Sequence, residues 1–276
     1  IILSHCVAGS KQGMQLTDIG VNLAHDSFDN DRKQVLERAR AAGVTTMVIT
    51  GSCRESSAQA LQIARDYGDG LYATAGVHPH HADDFGSADP EWIRALAEQA
   101  EVKALGECGL DFFRNFSSPQ AQETAFHRQL ELAGELQMPV FLHQRDAHPR
   151  FCEILGDHLD RIPRAVAHCF TGDIRELEDY LELGLWIGIT GWICDERRGA
   201  HLIELIPRIP ADRLMLETDA PYLLPRDIRP RPRSRRNEPH YLKHVLEVVA
   251  RAADQDPASL AEQTTANARQ FFELPG

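Results

Sequence analysis

Eight short apolar runs, rich in β-branched residues, alternate with amphipathic segments along the chain. As strands they would cover residues 16–23, 45–51, 71–79, 102–111, 139–146, 164–172, 184–191 and 214–222. Eight strands, each followed by a helix or helical loop, within about 250 residues are typical of a TIM barrel. The pattern therefore predicts an α/β fold, a TIM (β/α)8 barrel. An open doubly wound sheet is the alternative, but it usually has fewer strands and a glycine-rich first turn.

The remaining sequence features indicate how many domains the chain has and in which compartment it works. No low-complexity linker interrupts the 276 residues, so a single domain over residues 14–276 is expected. Met14 is a natural start just before the first strand, and residues 1–13 are interpreted as an N-terminal extension. No apolar run approaches the roughly 18 residues of a membrane span. The six scattered cysteines form no CxxC motif, which predicts reduced thiols and a cytoplasmic protein. A monomer is the expected state.

Polar residues lie where several predicted strands end. Four of them, on four different strands, are Glu107, His143, His168 and Asp219. Active sites of barrels lie at the C-terminal ends of the strands, so these side chains are expected to converge. Because strand side chains alternate between faces, Arg145 should point the same way as His143.

A carboxylate and imidazole set of this kind suits a divalent cation with an open coordination position. Each residue also has a simpler interpretation, since a single histidine or glutamate near a strand end often serves packing or an ion pair. Four such residues at four strand ends favour the metal interpretation. The ligand types admit Mg²⁺, Mn²⁺ and Zn²⁺.

Five stretches, GVHPH, ALGECGLDF, PVFLHQRDA, AVAHCFTG and LMLETDAPYLLP, resemble in order the strand-end motifs of the TatD-related metal-dependent deoxyribonucleases. The resemblance runs from about Asp18 to the C-terminus. It implies a barrel of the metal-dependent hydrolase type. It also implies hydrolysis of phosphodiester bonds, with the TatD branch acting as a 3′–5′ exonuclease on single-stranded DNA and RNA. Mg²⁺ is the cation that the resemblance favours.

The resemblance also implies roles for individual residues. Glu107, His143 and His168 correspond to metal ligands. Asp219 corresponds to the strand-eight acid that contacts a metal or orients the attacking water. His78 corresponds to the histidine that faces the substrate phosphate, and Arg145 would assist it. For Glu217, a role in the site and a structural ion pair are equally open.

One departure from the family pattern concerns the first strand. Most relatives carry a histidine pair, HxH, at its end, whereas this chain has Gly20 and Asn22 there. Glycine has no side chain to offer a metal, and an asparagine amide is a weak ligand. One firmly bound ion is therefore expected, with a second weak or brought by the substrate.

The formal net charge of −12 means that an anionic substrate needs a local basic patch. The segment RDIRPRPRSRR, residues 226–236, holds six arginines directly after the eighth predicted strand. It is expected to follow substrate phosphates with salt-sensitive binding, although a solvated loop paired with the chain's own acids is the alternative. Aromatic residues near the predicted mouth could stack unpaired bases, namely Phe112, Phe113, Phe116, Phe170 and Trp192.

Two other classes of function stay open at this level. A metal-dependent amidohydrolase, or a D-aminoacyl-tRNA deacylase, would use the same barrel and ligands. Amidohydrolases commonly carry a bridging lysine on strand four, whereas Lys103 here lies at the start of that strand. A non-catalytic nucleic-acid-binding barrel is the other alternative, and it would not need four strand-end ligands.

Overall fold

The computed structural model describes residues 14–275 and contains one sheet of eight parallel strands in sequence order. The strands are β1 Leu16–Val21, β2 Val44–Ile49, β3 Leu71–Ala75, β4 Val102–Asp111, β5 Val140–Arg145, β6 Ala165–Ala167, β7 Trp186–Ile189 and β8 Leu214–Leu216. Backbone hydrogen bonds between the ends of the first and last strands, from Asp219 to Gly20 and from Asn22 to Ala220, are each 2.8 Å long. They draw the sheet into a nearly closed barrel, and the predicted fold is confirmed.

Helices follow the strands and cover the outside of the sheet. They are α1 Arg32–Ala41, α2 Arg54–Tyr67, α3 Asp89–Ala97, α4 Pro119–Leu136, α5 His148–Gly156, α6 Ile174–Glu182, α7 Ala200–Leu205, α8 Leu242–Ala252 and α9 Pro257–Phe272. Side-chain caps begin some of these helices, including α4 and α6. Ser118 accepts a hydrogen bond from Ala121 N, and Asp173 accepts from the amides of Arg175 and Glu176.

Apolar side chains fill the interior of the barrel toward the N-terminal ends of the strands, which we call its lower end. Seven strands contribute one residue each to this cluster, namely Ile19, Val48, Ala104, Phe141, Val166, Trp186 and Met215. The last helix, α9, adds Phe271 and Phe272, and the Phe271 ring lies 5.6 Å from that of Trp186. Polar side chains are therefore left to the opposite end, at the C-termini of the strands.

Strands β6 and β8 are much shorter than the apolar runs predicted, because each covers three residues. His168 and Glu217 follow immediately after them. Cys169 has φ 48° and Asp219 has φ 53°, so strand alternation has ended there. Alternation alone would turn Cys169 away from His168. In the structure both residues line one cavity, and Cys169 Sγ lies 3.6 Å from Thr190 Oγ1.

The predicted N-terminal extension, residues 1–13, lies outside the described residues. Within 14–275, the structure contains no helix with the length and apolar character that crossing a bilayer requires.

Candidate active site

A cavity of about 980 Å³ opens at the C-terminal ends of the strands. All six residues that the sequence singled out line it, namely His78, Glu107, His143, Arg145, His168 and Asp219. They come from the ends of strands β3, β4, β5, β6 and β8, or from the residues just beyond them. The barrel therefore brings together side chains that are far apart in the sequence.

The centre of the site is one oxygen of Glu107. His168 Nε2 lies 2.8 Å, His143 Nδ1 2.9 Å and His78 Nε2 3.3 Å from Glu107 Oε1. Burial raises the pKa of Glu107, but the nearby imidazoles outweigh it and hold the pKa well below its usual value. Burial likewise lowers the pKa of His168, whereas Glu107 and Glu217 outweigh it and raise that pKa well above normal.

A second acid stands behind each of two imidazoles. Glu217 Oε2 lies 3.3 Å from His168 Nδ1, and Asp111 Oδ2 lies 3.4 Å from His143 Nε2. Both carboxylates are almost fully buried. If these acids take the ring N–H groups, His168 Nε2 and His143 Nδ1 present lone pairs to Glu107 Oε1.

This donor set fits a divalent cation. Two lone-pair nitrogens and a carboxylate oxygen at hydrogen-bond distance repel one another unless a proton or a cation lies among them. On the far side of the ring, His143 Nε2 is buried without a hydrogen bond of good geometry, so Asp111 is an ionic neighbour of this atom at 3.4 Å. One potential ligand atom from each of His78, Glu107 and His143 lies within 4.8 Å of the other two, which is compact enough for one ion. His168 is not in that set of three, but its Nε2 lies 2.8 Å from Glu107 Oε1.

His78 differs from the other two histidines in its hydrogen bonds. Its Nδ1 accepts the backbone N–H of His80 at 3.1 Å, so its own proton belongs on Nε2. Burial lowers the pKa of His78 to about 4, which keeps the ring neutral. The ring is therefore an N–H donor that points into the cavity.

At the end of β1, where most of the family carries a histidine pair, Gly20 and Asn22 lie against two acids that follow β8. Gly20 has no side chain, and a Cβ added there would lie 2.3 Å from Glu217 Oε2. Asn22 Nδ2 donates to Asp219 Oδ1 at 2.8 Å. Burial raises the pKa of Asp219 to about 7, while the hydrogen bond from Asn22 acts in the opposite direction. Asn22 thus contacts the strand-eight acid directly.

Arg145 supplies a cation at the mouth. Its guanidinium carbon lies 3.9 Å from the centre of the Phe113 ring, and the ring is 53 % exposed. Within the part of the chain that the structure describes, Arg145 forms no ion pair. Its hydrogen-bond donors are therefore open to an anion in the cavity.

The arginine-rich segment, residues 226–236, has neither helix nor strand. Its arginines divide into two groups. Arg236 binds Asp31 and Glu238, and Arg226 lies 3.3 Å from Asp195. Among residues 14–275, the other group has no carboxylate partner, and Arg235 also lines the cavity. That group includes Arg231, Arg233 and Arg235.

The aromatic residues predicted at the mouth also divide. Phe113 and Phe116 are 53 % and 64 % exposed, whereas Phe170 is buried. Phe112 and Trp192 are half-buried against the core. Tyr222, which is 51 % exposed and lines the cavity, was missed by the sequence analysis. It lies three residues after Asp219, and that position could have singled it out.

The fold and the site define a class of protein, a (β/α)8-barrel hydrolase with carboxylates and imidazoles at its C-terminal mouth. The family model described as TatD related DNase matches residues 17–273, and the chain belongs to this family. It is thus a metal-dependent nuclease, and the resemblance seen in the sequence is confirmed.

Two curated relatives are similar over nearly their whole length. A protein of Erwinia billingiae, named 3′-5′ ssDNA/RNA exonuclease TatD, is 57 % identical over 258 residues, which cover 94 % of this chain and 99 % of the relative. A Salmonella typhimurium protein of the same name is 55 % identical over 257 residues, 93 % of this chain and 98 % of the relative. The crystal structure of a TatD homologue from Escherichia coli K12 is 29 % identical, with a TM-score of 0.86, covering 95 % of this chain and 99 % of that one.

Proposed function

We propose that this protein removes nucleotides from the 3′ end of single-stranded DNA and RNA, using a divalent cation held by Glu107, His143 and His168. The observation that carries the proposal is that two imidazoles, each with a second carboxylate on its far side, converge on Glu107 Oε1 inside one cavity. The relatives named as 3′-5′ ssDNA/RNA exonucleases support the direction and the substrate. Mg²⁺ is the proposed cation.

The cation, when bound, supplies Lewis acidity, which lowers the pKa of water and offsets negative charge on phosphate. Glu217 and Asp111 lie beside the ring nitrogens of His168 and His143 that face away from Glu107, where their negative charge favours the ring protons. These two acids therefore orient the ligands, and their loss would turn the imidazoles away from the ion.

Asp219 acts as the general base. A carboxylate whose pKa burial raises to about 7 is matched to proton transfer near neutral pH. Asn22 fixes one carboxylate oxygen, Oδ1, through its 2.8 Å hydrogen bond. The other oxygen, Oδ2, is left to accept the proton of the attacking water.

His78 and Arg145 bind the scissile phosphate. His78 donates from Nε2, since its Nδ1 is occupied by the amide of His80. Arg145 offers the two parallel N–H groups that suit phosphate oxygens. The Phe113 ring, whose centre lies 3.9 Å from the guanidinium carbon, keeps Arg145 at the mouth. Exposed Phe113 and Phe116 offer ring faces to unpaired bases, which favours a single strand over a duplex.

The proposal includes a cytoplasmic monomer whose residues 14–276 form one domain. Free cysteine thiols, some buried and some half-buried, support a reducing compartment. They are Cys53, Cys108, Cys152, Cys169 and Cys194.

The test is a time course with single-stranded oligonucleotides labelled at the 3′ or the 5′ end. The chain is stripped of metal, and Mg²⁺, Mn²⁺ or Zn²⁺ is added back. We expect metal-dependent, stepwise loss of nucleotides from the 3′ end. Asp219→Asn is the matched control, because it keeps the shape of the side chain and removes the base, so any remaining cleavage would expose a contaminating nuclease.

Cleavage that starts at the 5′ end or inside the strand would contradict the proposed direction. Absence of cleavage with every cation would contradict the nuclease assignment. D-aminoacyl-tRNA would then be the next substrate to assay on the same preparations.

A further inference from the structure

A second cluster of ligand-type side chains lies apart from the cavity. Cys194 ends the short 3-10 helix Gly191–Cys194 that follows β7. Asp227 is the second residue of the arginine-rich segment after β8, and His244 lies in the first turn of α8. One potential ligand atom from each lies within 4.8 Å of the other two. His244 Nε2 and Asp227 Oδ1 are 2.7 Å apart. Three separate segments of the chain thus meet at these side chains.

The donor types select a class of cation. A thiolate, a carboxylate and an imidazole carry a combined charge of −2, which a divalent ion neutralises. The thiolate favours Zn²⁺ and similar ions over Mg²⁺, which takes oxygen ligands. In a tetrahedral zinc site the ligand atoms lie about 3–4 Å apart, so the cluster needs only a small contraction.

A neighbouring ion pair joins the same two segments. Arg226 Nε lies 3.3 Å from Asp195 Oδ2, and these two residues adjoin Asp227 and Cys194 in the sequence. Asp195 also accepts a hydrogen bond from Arg198, which lines the cavity. The N-terminal end of the arginine-rich segment is therefore attached close to the rim of the active site.

We propose that Cys194, Asp227 and His244 bind a thiophilic divalent cation, Zn²⁺, which fastens the arginine-rich segment to the loop after β7. The ion takes the proton's place on the thiol. With the ion bound, the segment holds Arg231, Arg233 and Arg235 in place.

The test uses Co²⁺ as a spectroscopic probe for zinc on the full chain after metal is removed. A cysteine thiolate bound to Co²⁺ gives a near-ultraviolet charge-transfer band that oxygen and nitrogen ligands do not give. We expect the band in the wild-type chain and its loss in Cys194→Ser. We expect it to persist in Glu107→Ala, because that change removes a ligand of the other site.

Cys152→Ser is the matched control. Cys152 Sγ lies 3.6 Å from His148 Nε2, so it is also a thiol beside an imidazole, with Asp179 nearby. The band should survive this change. A wild-type chain without the band, a band that persists in Cys194→Ser, or a band lost in Cys152→Ser would each overturn the proposal.

A second measurement does not depend on how Cys194→Ser folds. In a Glu107→Ala background, Zn²⁺ should slow tryptic cleavage after Arg226 and Arg233. The added change His244→Gln, at a half-buried position, should abolish this protection. Cleavage that Zn²⁺ leaves unchanged, or protection that remains in His244→Gln, would also overturn the proposal.

Discussion

Gly20 and Glu217 share one place in the barrel, because a Cβ on residue 20 would lie 2.3 Å from Glu217 Oε2. We expect Gly20→Ala to push this buried carboxylate away from His168 and to lower the free energy of unfolding by about 1–3 kcal/mol. Urea unfolding measures the effect. Gly156→Ala is the control, since a Cβ at this helical glycine meets no atom within 4 Å. Equal stability of the two variants would contradict the close approach.

Glu217→Gln should weaken metal binding while leaving the shape of the side chain unchanged. The neutral amide oxygen accepts a weaker hydrogen bond from His168 Nδ1 than a carboxylate does, so the orientation of the ligand is less strongly fixed. Loss of such a partner costs about 10- to 100-fold in metal affinity. Calorimetric titration with Mn²⁺ measures the affinity, and Glu247→Gln on α8 is the control. An unchanged affinity would leave Glu217 with a purely structural role.

Asn22→Ala should shift the acidic limb of the pH–rate profile to higher pH. Burial raises the pKa of Asp219 to about 7, and the Asn22 hydrogen bond opposes this rise. Without that bond the base stays protonated to a higher pH, so activity falls most on the acidic side. Profiles of kcat/KM for wild type and variant measure the shift. A uniform loss at every pH would show that Asn22 acts on something other than the base.

Changing Arg231, Arg233 and Arg235 together to alanine should weaken binding of single-stranded DNA and reduce its salt dependence. If all three contact phosphate, the slope of log affinity against log salt should fall in magnitude by about 2. Fluorescence anisotropy over a range of salt concentrations measures it. Changing Arg128, Arg161 and Arg208 together alters the net charge equally and should leave the slope alone. The same slope in both triple variants would make the segment a solvated loop.

Asp18→Asn should stabilise the protein increasingly as pH rises from about 4 to 8. Burial raises the pKa of Asp18 to about 8, above its value in the unfolded chain, so the folded state binds the extra proton. Its contribution to stability is complete below the unfolded pKa and is lost as pH rises through the folded pKa. The loss amounts to at most about 1.4 kcal/mol per pH unit.

Urea unfolding at pH 5 and pH 8, with a chelator present, measures this effect. An asparagine can keep the contacts, since its oxygen can accept from Thr218 N and its amide can donate to Thr218 Oγ1. Asp212→Asn, at an exposed position, is the control. A stability difference that does not change with pH would contradict a raised pKa.

The alternation of apolar and amphipathic runs was enough to predict the barrel, and the polar residues at the strand ends were enough to predict its mouth. The apolar runs marked all eight strands, and Glu107, His143, His168 and Asp219 all line one cavity. Their roles as ligands and base stay predictions. Asp111 could have been added, because it lies four residues after Glu107 on the same strand and alternation places both on one face.

Other features depend on tertiary contacts that no local pattern encodes. Strand alternation failed at Cys169 because its φ of 48° turns the chain there. The place of the Glu217 carboxylate depends on space above Gly20 and Gly188, which lie on other strands. The division of the arginines depends on partners such as Asp31, which is about 200 residues away. The sequence also could not predict which aromatic side chains are exposed, and in the structure Phe113 is exposed whereas Phe170 is buried.

The packing of α9 against the lower end of the barrel has a consequence for a polymer. Phe271, Phe272 and Trp186 block that end, so the cavity is a dead end and not a tunnel. A nucleic acid chain cannot thread through such a barrel. Substrate must therefore enter, and each released nucleotide must leave, by the same opening at the C-terminal ends of the strands.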